Sequence, residues 1–320
     1  VKMVAAKKHA FVSNRNGNYD LYAIDADGKN EKILLAATSK EREVPFVLPS
    51  QDRNVVAYIS SRDGDVNKSN FILDGLFIVD TDNGDTYKVT RSEQLQLIGW
   101  SGNKLIYVAV IEGVSAGNSQ RSKLISFDLD SRERTDLAAA NYFNDVKLVG
   151  DTVYYSISSY AVPASQAKLF SIKPDGTEKN TVVNTQVWSI IRKDFDTLLF
   201  NAIDLQWFEQ VGDGEPKKLD VEPAQKVPRI YSVSPDGMNA LWVDVRDGKG
   251  VLLNYQTEPK KEDVLVTEAG LGDPVYWLDN THFVYRVSTT QETADYVMSI
   301  DGGESQKLAD VVGNRSRYFY

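Results

Sequence analysis

The chain has 320 residues, 42% of them hydrophobic and 10% aromatic, enough apolar material for a packed core. Its net charge is −9 with Lys and Arg interleaved among Asp and Glu, so no basic stripe is available for nucleic acid or for an anionic membrane surface. It contains no Cys, which excludes disulfides, thiolate chemistry and Cys-based metal sites, and no apolar run approaches the ~18–20 residues that span a bilayer.

The first residue is Val1 rather than Met, which reads as a trimmed or processed chain whose signal peptide or anchor has been removed. Val1–Val4 followed by Ala10–Ser13 matches Val146–Val149 followed by Val153–Ser156, so Val1–Ala5 reads as the innermost strand of blade one. Next comes Phe11-Val-Ser-Asn-Arg-Asn-Gly17. It is matched by Tyr58-Ile-Ser-Ser-Arg-Asp-Gly64 and again by Trp242-Val-Asp-Val-Arg-Asp-Gly248. Each is an aromatic, β-branched run that ends in a polar turn with Gly.

A second element follows. It begins at Leu21 as Leu-Tyr-Ala-Ile-Asp-Ala-Asp-Gly28, and copies begin at Leu76, Leu124, Leu169, Trp207, Leu252 and Val297. The seven copies are 55, 48, 45, 38, 45 and 45 residues apart, the spacing of propeller blades. Asp27-Gly28, Asn83-Gly84, Asp175-Gly176 and Asp213-Gly214 read as tight hairpin turns, because these pairs accept positive φ cheaply. Ser234-Pro-Asp-Gly237 is a turn between the first two strands of blade six. No stretch shows a sustained 3.6-residue apolar period. The expectation is an all-β, seven-bladed β-propeller of four-stranded antiparallel blades, a single domain over residues 1–320. The C-terminal Arg317–Tyr320 is the rival to Val1–Ala5 for the closing strand.

The pattern aromatic-x-Ser-x-Arg-Asn/Asp-Gly, then Leu-Tyr-x-Ile-Asp-x-Asp-Gly, resembles the TolB-like (WD40-like) propeller repeat over nearly the whole chain. The match is strong in blades one, two and six, fair in three, four and seven, and poor in five. The Ser-Pro-Asp-Gly turn typical of that family survives only in blade six. The α/β domain that precedes the propeller in TolB has no counterpart here, and seven blades exceed TolB's six. The resemblance implies the fold and an extracytoplasmic, envelope-associated setting.

Motifs that carry chemistry are sparse. Gly113-Val-Ser-Ala-Gly117 matches the G-x-S-x-G pattern of serine hydrolases, but a strand follows it where a nucleophile elbow needs a helix, so it reads as a flexible loop. The two histidines, His9 and His282, begin predicted second strands and read as strand-edge residues. Asp80-Thr-Asp-Asn-Gly84-Asp85 has Gly at position 5 and Arg91 at position 12, which is the wrong spacing for a calcium loop and the right one for a hairpin. Asp25/Asp27 and Asp128/Asp130 read the same way. No metal or cofactor site is expected. Arg15, Arg62 and Arg246 recur at one repeat position and are expected to pair with acidic residues of their own or a neighbouring blade. Trp100, Trp188, Trp242 and Trp277 are expected in the core.

In a four-stranded blade the two-to-three and four-to-one loops share a face. The long two-to-three loops are Ser61–Asp74, Glu112–Ser122 and Ser159–Gln166 in consecutive blades, whereas blade five has hardly any. Asn70, Phe71, Asn118, Arg121, Tyr160 and Gln166 are therefore the candidate ligand contacts. The leading expectation is a non-catalytic, monomeric recognition propeller that binds a protein or polysaccharide, without nucleic acid or membrane insertion. The reading leans away from an enzyme without closing that option. The alternatives are a glycan-active lyase or hydrolase, and the propeller domain of a larger serine peptidase.

Overall fold

A computed structural model describes residues 8–25, 27–41, 44–160, 162–193, 196–223 and 232–311. The fold is an all-β, seven-bladed propeller. Its described strands form seven antiparallel sheets, and the only helix among them is a single 3-10 turn at Ala164–Gln166.

Blade one holds β1 (Lys8–Ser13), β2 (Asp20–Asp25) and β3 (Lys32–Leu35). Blade two holds β4 (Phe46–Pro49), β5 (Val55–Ser60), β6 (Asp74–Asp80) and β7 (Thr86–Ser92). Blade three runs β8 (Gln94–Ser101), β9 (Lys104–Val110), β10 (Ser122–Asp128) and β11 (Arg134–Ala140). Blade four runs β12 (Phe143–Val149), β13 (Thr152–Ile157), β14 (Leu169–Ile172) and β15 (Asn180–Val183). Blade five runs β16 (Val187–Arg192), β17 (Thr197–Ala202), β18 (Trp207–Val211) and β19 (Lys217–Leu219). Blade six runs β20 (Ser232–Val233), β21 (Asn239–Arg246), β22 (Lys249–Gln256) and β23 (Lys261–Glu268). Blade seven runs β24 (Leu271–Trp277), β25 (His282–Ser288), β26 (Thr293–Ser299) and β27 (Gln306–Asp310). Blade one has three described strands; both candidates for its fourth, Val1–Ala5 and Arg317–Tyr320, lie outside the described residues.

The burial pattern explains the run lengths. Second and third strands such as β5, β6 and β9 carry five consecutive buried residues, because both of their faces are covered. Outer strands such as β7 and β11 are more open: β7 buries only Ser92, and β11 begins with three exposed polar residues, Arg134, Thr135 and Asp136.

The described residues fall into two compact units. One contains those up to Tyr58, Ile78–Tyr87 and those in 232–311; the other contains Ile59–Phe77 and those from Lys88 to 223. In the first unit, Phe11, Tyr22 and Ile24 of blade one pack on Val284, Val297 and Leu308 of blade seven. Leu241 and Leu252 of blade six pack on Trp277, Phe283 and Tyr285. In the second unit, Ile106, Leu124 and Leu137 of blade three meet Phe143, Val146 and Tyr155 of blade four. Tyr154 and Leu169 then meet Val187, Ile190 and Phe200 of blade five.

Three expectations change in detail. His9 is fully buried, and its Nε2 lies 2.7 Å from Asp295 Oδ2; Arg286 donates to both Asp295 oxygens at 2.7 and 2.9 Å. It is thus an internal tie between blades one and seven, not a strand-edge residue. His282 does sit at a strand start, where its Nδ1 faces the Asp279 carboxylate at 3.1 Å. Trp188 is half exposed, unlike the buried Trp100, Trp242 and Trp277, because a bulge between Val187 and Ser189 turns it outward. At residues 211–214 the positive φ falls on Gly212, not Gly214.

The Ser-Pro-Asp-Gly turn forms in blade six, with Gly237 N donating to Ser234 O at 2.9 Å and Ser234 Oγ to Asp236 Oδ1 at 2.6 Å. The same geometry recurs in blade two, where its sequence signature is lost. Arg53 N donates to Ser50 O at 3.1 Å, Ser50 Oγ to Asp52 Oδ1 at 2.6 Å, and Arg53 takes the Gly position at φ 67°. Its guanidinium is buried, donates to Trp277 O at 3.0 Å and lies 3.8 Å from the Tyr276 ring centroid. Burial pushes it down to about 9.

Candidate functional site

The second unit carries the long loops. Strand registers fix where they lie. Gln94 pairs with Val110, and Val110 with Ser122, so the start of β8, the end of β9 and the start of β10 share one end of blade three. Phe143 pairs with Ile157, and Val187 with Ala202, which places the starts of β12 and β16 at the corresponding ends of their blades. Asn144 Nδ2 donates to Val187 O at 3.0 Å, and Ser159 N to Gln186 Oε1 at 3.3 Å, so the ends of blades four and five are adjacent.

The loop of 61–73 is built on Asn67. Its Oδ1 accepts from Ser69 N and Phe71 N at 2.9 and 3.0 Å, and a bridge between Val66 and Ile72 closes the base. Asn70 occupies the left-handed tip at φ 61°, and Phe71 stands 70% exposed. Lys88 holds the loop's root through Asp63 at 2.5 Å and Asp65 at 3.3 Å.

The loop of 111–121 is pinned by Glu93. Gly113 N donates to Glu93 Oε1 at 3.2 Å, Arg121 Nη2 to Oε2 at 2.9 Å, and Asn67 Nδ2 to Oε1 at 3.4 Å. One carboxylate thereby ties two successive loops. The Gly113 N–H, then Arg121 and Asn67, hold this carboxyl below its ordinary range. Arg121 also donates to Val114 O, and its own N–H bonds Asn118 O at 3.0 Å. Asn118 Oδ1 accepts from Gln120 N at 2.8 Å. Asn118 and Arg121 thus shape the loop from within. The Gly113–Gly117 motif sits in this loop and runs on into strand β10, so the helix a nucleophile elbow needs is not there.

In the third loop Tyr160 is 78% exposed, while Gln166 closes the 3-10 turn by donating from its N–H to Pro163 O at 2.8 Å. The six candidates therefore occupy three loops at one end of the second unit, with Phe71 and Tyr160 presented outward. Sequence reasoning missed three further side chains at this end: Tyr142 before β12, Trp188 on β16 and Leu205 between β17 and β18. Leu205 is 80% exposed at φ 61°, a costly conformation for a bulky residue. The short blade-five loop hid it, because length was the signal used.

Beside these loops, at the junction of blades three and four, lies a cavity of about 250 Å³. Its polar lining is Gln94, Gln96, Ser122, Asn144 and Asp145, and Tyr142 forms part of its wall. Asp145 is buried. Burial raises its carboxyl above the ordinary range against Lys147 at 3.6 Å and two backbone donors, Ile190 N at 2.8 Å and Val146 N at 2.9 Å.

The other charged motifs are structural. Asp80 Oδ1 accepts from Asp82 N and Asn83 N in a hairpin turn, and Asp128 accepts from Lys104 and from two backbone N–H groups. Asp25 likewise accepts from Lys8 and Asn30. Arg15 pairs with Glu31 at 2.6 Å and Arg246 with Glu262 at 3.1 Å, each within its own blade, and Arg62 lies over Phe77. Among the described residues no group of three or more His, Asp or Glu is placed to hold a metal ion. No described helix is long and apolar enough to cross a membrane.

No protein-family model matches the chain, and no curated protein matches it in sequence. Solved structures do match in fold. The chain is similar to a prolyl endopeptidase (14% identity, TM-score 0.56), covering 97% of this chain and 51% of that one. It is similar to the β-propeller domain of the Trilobed protease from Pyrococcus furiosus (11% identity, TM-score 0.57), covering 98% and 99%. It is also similar to the acylaminoacyl peptidase of Pyrococcus horikoshii (14% identity, TM-score 0.56), covering 96% and 50%. The chain thus spans about half the length of these two peptidases and the whole of the isolated propeller domain. At such identities what is shared is the β-propeller fold.

Proposed function

We propose that this chain is a non-catalytic, extracytoplasmic recognition module that binds a protein or polymer on the loop-bearing end of its second unit. The observation that carries this reading is the set Phe71, Tyr142, Tyr160, Trp188 and Leu205. All are half or more exposed, and they are presented by loops and strand starts whose backbone is pinned. Large apolar side chains held out on a rigid frame are costly to leave in water and mark interaction surfaces. The TolB-like repeat pattern supports the extracytoplasmic setting, and we infer that the chain acts as a monomer.

The test is capture of binding partners from envelope extracts on immobilised chain, compared with the double variant Phe71→Ala/Tyr160→Ala. The variant is expected to lose at least about tenfold in recovery, which corresponds to about 1.4 kcal/mol. Equal recovery by both chains sinks the proposal.

A second reading is favoured by the likeness to peptidases that are matched over half their length. In it the chain is the propeller domain of a larger peptidase. A nucleophile elbow encoded in the reading frame beyond Tyr320 or before Val1 would favour that reading.

A further inference from the structure

The cavity between blades three and four has an unusual balance of polar groups. Its one charged lining residue, Asp145, is already compensated: Ile190 N, Val146 N and Lys147 occupy both carboxylate oxygens. What remains for a ligand is neutral. Asn144 spends its Nδ2 on Val187 O and keeps its Oδ1, and the Gln94 and Gln96 amides have no hydrogen-bond partner among the described residues. Behind Ser122, whose hydroxyl donates to the Asn141 carbonyl at 3.2 Å, the Asn141 side chain is buried with neither amide atom bonded. An unmet buried amide is costly, and this one adjoins Tyr142 and Ser122 of the cavity lining, which adds to the unspent hydrogen-bonding capacity at that place.

Amides that can both give and accept match hydroxyl groups, which do the same. Tyr142, 58% exposed, forms a wall of the cavity, and Trp188 and Tyr160 stand out on the adjoining blade ends. Flat aromatic faces of this kind take the C–H faces of sugar rings, and the cavity has room for about one ring. An extended peptide fits less well. It would add to the free edges of the innermost strands β8, β12 and β16. There one backbone donor on each strand (Leu95 N, Val146 N and Ile190 N) is already taken by a carboxylate of Asp74 or Asp145, which interrupts the ladder a peptide would make.

We propose, building on the recognition reading above, that this cavity is the anchor site for an uncharged polysaccharide. One sugar ring enters beside Tyr142, hydrogen-bonded by the Gln94, Gln96 and Asn144 amides. The chain of sugars then runs outward over Tyr160 and Trp188.

The experiment is affinity electrophoresis of the whole chain through gels that contain laminarin, dextran or hydroxyethylcellulose. Polygalacturonate serves as the acidic control, and a displayed random-peptide library is panned in parallel. At least one neutral glycan is expected to retard the chain. Its Kd should change less than about twofold between about 0.05 and 0.5 M NaCl, because no charge pair is made. Tyr142→Ala and Gln96→Ala should each weaken it at least about tenfold, and either variant suffices if the other fails to fold. Failure of all three neutral glycans overturns the proposal, as does retardation unaffected by both variants. Binding confined to polygalacturonate or to peptides overturns it while leaving the recognition reading intact. Loss of that wider reading would show separately, as unchanged capture by Phe71→Ala/Tyr160→Ala.

Discussion

Asp295 is where single-residue physics is most exposed to test. Burial alone would raise its carboxyl, but hydrogen bonds from His9 and Arg286 outweigh that and hold it at about 2. Its folded value lies below the ordinary 3.8, so its contribution is fully present above pH 4 and is lost as pH falls through about 2. That contribution is about 2 kcal/mol. Urea midpoints measured between pH 5 and 2 should fall along this limb in the native chain, and the limb should flatten in Asp295→Asn. Asp295→Ala should cost about 3–5 kcal/mol at neutral pH, because it strands the Arg286 guanidinium in a dry interior. None of this was legible in the sequence. His9 and Asp295 are 286 positions apart, and nothing local distinguishes a histidine at a strand edge from one whose partner arrives from another blade. Two of the three recurring arginines were legible, because Arg15 and Arg246 find their acids within one repeat, where spacing alone constrains the partner.

The loop elements depend on shared anchors. Glu93 serves both the 61–73 and the 111–121 loop, so its removal should loosen two loops while leaving the strands intact. Glu93→Gln is expected to speed limited proteolysis within 111–121 several-fold, while the global unfolding free energy changes by no more than the ~1 kcal/mol typical of a partly exposed ion pair. Proteolysis at the native rate would show that the anchor is dispensable. Hairpins were readable from sequence where an Asp-Gly or Asn-Gly pair supplied the positive φ, as at Gly28, Gly84 and Gly176. They were unreadable where another residue was forced into that role. Arg53 copies the blade-six turn bond for bond, yet it carries no glycine to announce it, and its conformation is sustained by stacking on Tyr276. The candidate loops were found by length, which located Phe71 and Tyr160. The same criterion passed over Leu205 and Trp188, whose exposure comes from a four-residue turn and a bulge.

At the scale of the whole molecule, the repeat period carried the fold. The tryptophans offer a compact check on the packing of the blades. Of the five, Trp188 is half exposed, and Trp100, Trp207, Trp242 and Trp277 are at most 6% exposed. Acrylamide quenching should therefore resolve one accessible fluorophore above a shielded background, and Trp188→Phe should abolish the accessible component. A single, uniformly quenched population would contradict the packing described for these blades.

The carboxylates that occupy Leu95 N, Val146 N and Ile190 N also bear on how the protein ages. A strand edge with free donors is a template on which another molecule can grow a cross-β fibril. In blades three, four and five one such donor per innermost strand is taken by Asp74 or Asp145, side chains that cannot propagate a ladder. Each of these strands therefore offers an incoming strand one donor fewer, at a point where a negative charge also stands.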